Sequence, residues 1–301
     1  MCWLAGVSRC GYYRHLQIAA PDEAEMAMRI SIQEVVLTHS RRYGYRRVTA
    51  ELHRRGMTIN HKRVLRLMRE DNLLAIRYRK YILTTQSRHD CPVYVNLAVR
   101  MTLTGINQLW VADITYIRLR LEFVYLAVII DRYSRKVIGW CLDRTLAARM
   151  AVTALQQAVA LRQPSPGVVI HSDQGIQFAC AEFHQEVQAN RMVMSMSRPA
   201  NPYDNAACES FMKTLKQEEI YCNQYRDFED LQQHLEEFLE RYYNRIRLHS
   251  ALGYRTPEEF EHAALGQPAS GDTSPAAVMQ YFTPPPQKET ANSPTEIPSS
   301  G

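Results

Sequence analysis

The chain has 301 residues, 46% of them hydrophobic, enough for one large domain or two modest ones with a real core. Its net charge is only +5, yet residues 41–80 carry 13 Lys and Arg against 3 Asp and Glu, which leaves −5 for the remainder and points to a polyanion-binding part beside a separate working part. Seven cysteines without a C-x-x-C pair speak against a zinc knuckle or a disulfide framework, and no apolar run approaches the roughly 18 residues of a membrane span, so a reduced, cytoplasmic protein is expected.

In chain order, residues 1–80 read as helical. A helix is expected from Glu25 to about Thr38, and YGYRRVTAELHRRG supplies a short one ended by Gly56. Asn60 is placed to cap the next, HKRVLRLMRE, whose apolar positions are Val64, Leu65, Leu67 and Met68. Two short helices around a Gly-containing turn, the second one basic, match a helix-turn-helix. Arg46, Arg47, Lys62, Arg63 and Arg66 are its candidate DNA contacts. A solvated basic face gives the same pattern. LAGVSRCGYYR, residues 4–14, reads as the end of another such unit.

Residues 81–106 read as a linker. Three strand-like runs follow, LWVADITYI, EFVYLAVIID and KVIGWCLD, separated by short turns. Leu146–Leu161 reads as a helix, Val168–His171 as a fourth strand, Phe178–Asn190 as a helix and Met192–Met196 as a fifth strand. Asp204 is the expected N-cap of a helix from Asn205 onward. Phe228, Leu231, Leu235, Phe238 and Tyr242 step by three and four along a long amphipathic helix. The working part is therefore expected over residues 107–265. Residues 266–301, rich in Pro and Ser, cannot bury enough apolar surface to fold and are expected to be disordered. The order of elements predicts an α/β protein, a mixed five-stranded sheet flanked by helices, preceded by an all-α region.

Three acids stand out. Asp113 interrupts an apolar strand, where Asp is disfavoured and a buried charge needs a partner or a cation. Asp173 ends the fourth strand, where sites gather in open α/β sheets. Glu209 lies one turn into a helix whose apolar face is Cys208, Phe211, Met212 and Leu215, with Glu209, Lys213 and Lys216 on the flank. Each has an ordinary reading as well: a hydrogen-bonded strand Asp, a turn, and a Glu209–Lys213 ion pair. Should the three carboxylates converge, they suit Mg²⁺ or Mn²⁺, and two ions about 3.5–4 Å apart would serve phosphodiester cleavage and transfer.

WVADITY (110–116), HSDQG (171–175) and NPYDNAACESFMKTLKQE (201–218) resemble the three signature blocks of DDE transposases with a retroviral-integrase-like core. Asp173 and Glu209 are separated by 35 residues, the spacing that names the group, and Lys216 stands where the family carries Lys or Arg. YYNRIRLHSALGYRTPEEF (242–260) resembles the segment that closes such domains, so the likeness spans residues 4–262. The nearest kind is the second-reading-frame product of an insertion sequence. The resemblance implies an RNase H-like fold, with Asp113, Asp173 and Glu209 as catalytic metal ligands and Lys213 and Lys216 on DNA. It further implies DNA ends and target as partners, a homo-oligomer on DNA, the first-reading-frame product as a further partner, and no membrane. Two alternatives stay open: a nuclease with the same core, and a non-catalytic DNA-binding regulator.

Overall fold

The computed structural model describes residues 23–75, 94–198 and 205–266, together with Ser8 and Cys10. The expected helical remnant at 4–14 lies outside these residues apart from Ser8 and Cys10. So do the first part of the expected linker, Asp204 as a helix cap, and the Pro/Ser-rich tail.

Three helices open the described chain: α1 (Glu23–Thr38), α2 (Tyr45–Arg54) and α3 (His61–Glu70). Each spends its apolar positions on one small core. Ile32, Val35 and Val36 come from α1, Val48 and Leu52 from α2, and Val64, Leu67 and Met68 from α3, closed by Tyr43, Ile59 and Leu248. Gly56 follows α2 at φ +82°, a left-handed conformation that lets the Met57 N–H turn back to the Leu52 carbonyl at 3.0 Å. The Asn60 side chain accepts the Lys62 N–H at 2.8 Å, the expected N-cap of α3.

The second half is a five-stranded mixed sheet: β1 (Leu109–Arg118), β2 (Phe123–Asp131), β3 (Val137–Asp143), β4 (Val169–Ser172) and β5 (Val193–Met196). Their spatial order is β3-β2-β1-β4-β5. β1, β2 and β3 pair antiparallel, and β4 and β5 join parallel. This is the architecture that the element order predicts. Helix α4 (Ala148–Arg162) covers one face with Met150, Ala151, Ala154, Leu155 and Ala158, against Trp110, Ala112, Ala127, Ile129 and Ile138. The approach is so close that a Cβ on Gly139 would stand 2.1 Å from the Ala154 carbonyl oxygen.

The helix expected at 178–190 divides. Cys180 is extended (φ −74°, ψ 157°) between α5 (Ile176–Ala179) and α6 (Ala181–Ala189), and its sulfur accepts the Phe183 N–H at 3.5 Å, capping the second piece. The break lets Phe178 and Phe183 meet edge to face at 5.4 Å inside the core. α7 (Ala206–Leu215) widens into a π-helical turn at Lys216–Ile220. α8 (Phe228–Glu236) continues as a wider helix through Glu237–Ile246, burying Leu231, Leu235, Phe238 and Tyr242. Asn244, on that continuation, both donates to and accepts from the Val137 backbone at 2.9 Å, tying the helix to the start of β3. α9 (Pro257–Ala264) begins with a capping box between Thr256 and Glu259. Among the described residues no helix is long and apolar enough to cross a membrane.

Candidate active site

β1 is the middle strand, flanked by β2 and β4. The parallel register sets Val111 opposite His171. Two residues further along are Asp113, in the middle of β1, and Asp173, just past the end of β4, so register and side-chain alternation direct both carboxylates to the same face. Asp113 is half-buried and accepts the Ile114 N–H at 2.8 Å. Asp173 accepts the Gly175 N–H at 3.0 Å, so the turn reading of HSDQG is true of its backbone.

α7 starts against the middle of β1. Its buried face is Ala207, Cys208, Phe211, Met212 and Leu215, with Glu209 and Lys213 exposed and Lys216 half-buried, as the helical wheel predicts. Asn205, just ahead of the helix, sends its side-chain N–H to the Ala112 carbonyl at 3.2 Å. That bond fixes the start of α7 one peptide from Asp113, and Glu209 follows one helical turn later. In the sequence Asn205 reads only as the first residue of the expected helix; its hold on β1 is a contact across 93 positions. Phe211 packs edge to face on Tyr243 at 5.0 Å and so anchors the helix from behind.

The electrostatics place the acids in one field. Burial first, and then the Asp173 charge, push Asp113 up to about 7, and Glu209 adds to the rise. The Ile114 N–H and Lys216 pull the other way. The Cys208 thiol is raised well above its ordinary value by burial and by the same two aspartates, which puts the underside of α7 beside both. Among the described residues no three His, Cys, Asp or Glu side chains stand close enough together to hold an ion. Like charges repel, and a divalent cation is the partner that would offset both the repulsion and the desolvation of Asp113. All three groups are hard oxygen donors, so the donor chemistry fits Mg²⁺ or Mn²⁺.

His171 is buried, with one ring nitrogen 2.8 Å from the Ser195 hydroxyl and the other 3.0 Å from the Ser197 hydroxyl. It crosslinks β4 to β5 beneath the site. Lys216 sits over the Tyr116 ring, 5.3 Å from its centre.

The candidate DNA contacts on the helical half separate into two groups. Arg46, Lys62, Arg63 and Arg66 are exposed. Arg63 and Arg66 share Glu25 of α1 at 3.3 and 3.4 Å. Arg47 turns toward the sheet half, where it meets Glu218 at 3.0 Å. There Arg247 grips the same carboxylate with two hydrogen bonds of 2.7 and 2.8 Å, and Arg42 pairs with Glu219 at 2.9 Å. Burial pushes Glu218 up, but Arg247 and Arg47 hold it down at about 2. This cluster has no counterpart in the sequence reading.

Comparison with known proteins adds the following. An HTH-like domain model matches residues 22–81, and two integrase core domain models match residues 104–202 and 190–257. The chain is 34% identical to the uncharacterized 31 kDa protein of insertion element IS600 from Shigella sonnei, covering 86% of this chain and 97% of that one. It is 36% identical to transposase InsF for insertion sequence IS3A from Escherichia coli, covering 88% and 94%. The catalytic core of HTLV-2 integrase in complex with magnesium matches 52% of this chain and 98% of that structure, with 18% identity and a TM-score of 0.41.

Proposed function

This chain belongs to the insertion-sequence transposases that carry an integrase core domain, and from that premise we propose that it cleaves the ends of its element and joins them to DNA in a divalent-metal-dependent reaction. Asp113, Asp173 and Glu209 would hold the metal, Mg²⁺ or Mn²⁺ and two ions. When bound, the metal activates the attacking oxygen and stabilises the leaving one. The nucleophile is water in cleavage and a DNA 3′-hydroxyl in joining. Its oxygen forms a new bond to the scissile phosphorus as it loses its proton, and the 3′ oxygen departs with the electron pair of the old bond.

The observation that carries this reading is the shared face of Asp113 and Asp173 beneath the helix that bears Glu209. The residues' own work is orientation. Asn205 fixes α7 against β1. Lys216, held over Tyr116, offers its ammonium to a phosphate near the reacting end, and Lys213 offers a second. Arg46, Lys62, Arg63 and Arg66 supply the exposed cations of the DNA-binding half, while Arg47 joins the two halves. The working form is a homo-oligomer, since two ends must be held together, and the first-reading-frame product is an additional partner.

The test is supercoiled plasmid carrying the element's own ends, incubated with Mg²⁺ or Mn²⁺. Wild type is expected to nick it and form joined products. Asp113→Asn, Asp173→Asn and Glu209→Gln are each expected to lose at least about 10³-fold in rate with DNA binding retained. Equal products from wild type and all three variants would sink the assignment, and cleavage without joining would reduce the protein to a nuclease.

A further inference from the structure

We propose that the β1–β2 hairpin is a wedge for the DNA being cut, with its tip seated against the base stack about six nucleotides from the scissile phosphate. This rests on the strand-transfer reading above and specifies where that site's substrate runs. β1 pairs with β4 only from Leu109 to Val111, whereas its pairing with β2 runs on to Arg118 opposite Phe123. The hairpin therefore extends past the strand end that carries Asp173. Leu119 donates its N–H to the Glu122 carbonyl at 2.9 Å, closing a turn of two residues, Arg120 and Leu121.

The tip is chemically unusual for a solvated turn. Leu121 is 95% exposed and Phe123 49% exposed, and the turn also carries the exposed cations Arg118 and Arg120. A single exposed Leu means little. Here the apolar groups belong to a row of rings along the hairpin, on strand positions that alternate with Asp113, and Lys216 links that row to the active site. Lys216, whose charge reaches Asp113, covers Tyr116 at 5.3 Å. Tyr116 meets Phe123 edge to face at 5.9 Å, and Arg118 lies over Phe123 at 5.6 Å. Cations alternating with aromatic rings suit a phosphate backbone whose bases stack alongside, and Leu and Phe are side chains that enter base steps. The acid of the turn, Glu122, faces Arg144 at 3.3 Å and does not spoil the charge match.

Length agrees with this arrangement. From Asp113 to Leu119 is six residues, roughly 20 Å at about 3.4 Å each. DNA rises about 3.4 Å per base pair, so the tip stands roughly six nucleotides from a phosphate at Asp113, and Tyr116 roughly three.

The experiment uses the full chain and a duplex ending in the element's own terminal sequence, with 2-aminopurine moved one position at a time from the cut. In wild type and in Asp173→Asn, fluorescence is expected to rise near the sixth position as the base unstacks. Leu121→Ser is expected to keep it at the duplex level and to slow cleavage about tenfold, the order of one lost stacking contact. Arg118→Ala with Arg120→Ala should weaken end binding, and Leu121→Met should restore both signals. All these side chains are exposed, so melting temperatures should match wild type. Cleavage by wild type with no brightening along the end, or Leu121→Ser indistinguishable from wild type, overturns the wedge and leaves the strand-transfer reading standing. Brightening confined to a target duplex overturns the element end as its occupant. A wild-type protein that neither binds nor cuts DNA overturns both.

Discussion

Helix α7 and its π-helical continuation carry acids at both ends, and the two ends have opposite surroundings. At the N-terminal end, exposed Glu209 is within electrostatic reach of Asp113, which burial and Asp173 push up to about 7. At the other end, Glu218 is buried among arginines and held at about 2. Burial raises both carboxyl groups; the sign of the neighbouring charge then decides the outcome. Arg247 and Arg47 complete one cluster from within the chain, while the other sets acid against acid, and under the proposed function a divalent cation would complete it. A structural acid and a candidate catalytic acid can thus be told apart by what faces them.

Substitutions can sharpen this contrast, beginning with the largest expected effect. Asp113→Asn removes a carboxylate that its neighbours disfavour. It should cost cleavage at least about 10³-fold while leaving stability to chemical denaturation in EDTA unchanged or higher. Loss of stability in step with activity would assign Asp113 to the fold instead. Glu218→Gln should do the reverse. It leaves the Arg247 guanidinium buried without its counter-charge, a loss of about 3–5 kcal/mol in urea titrations. A loss below about 1 kcal/mol would mean that the arginines re-pair with Glu219 or with water.

Mg²⁺ should separate the two ends more gently. Ten Kd of the ion should stabilise wild type by about 1.4 kcal/mol and Glu218→Gln by the same amount, with no gain for Asp113→Asn. Equal metal gains in Asp113→Asn would place the ion elsewhere. Acid titration gives the smallest and broadest signal. Glu218 is depressed in the folded state, so its contribution is complete above its ordinary value near 4.5 and is lost as pH falls toward 2. Buried His39, stacked on Tyr43 at 3.7 Å, is lowered to about 3 by burial and nearby arginines. Folding favours its neutral form, and stability is lost as pH falls below 6.5. With Asp113→Asn as the background, which removes that acid's opposing gain, denaturation from pH 7 to 3 should therefore show a stability that falls throughout, less steeply below pH 4.5 when Glu218→Gln is added and only below about pH 4.5 when His39→Gln is added.

What the sequence makes legible follows from where each signal lies. Strands β1, β2 and β3 are continuous apolar runs, and Asp113 is conspicuous because it interrupts one. Asn60 and Gly56 act through their own neighbours, so the cap and the turn can be read locally. Glu218 and Glu219 look like surface charge in KQEE, and Arg42 and Arg47 look like part of a DNA-facing run. Their meeting across more than 170 positions leaves no local trace. Asp131 escaped for a different reason. It sits at a strand end like Asp173, but its oxygens are taken by the N–H groups of Asn107, Tyr133 and Ser134. The divided helix at Cys180 was hidden because neither Gly nor Pro marks the break.

The Tyr43 hydroxyl accepts the Leu248 N–H at 2.9 Å, and Leu248 itself fills the small core of the first three helices. Those helices are made early, and the side chain that closes their core is made 205 residues after Tyr43. At roughly 5–20 residues per second of synthesis, the nascent helical part waits about 10–40 s for its last core residue. A chain that stops anywhere before that point leaves the three helices with a hole in their core, so the integrity of the helical half is tied to synthesis of the segment that closes the other half.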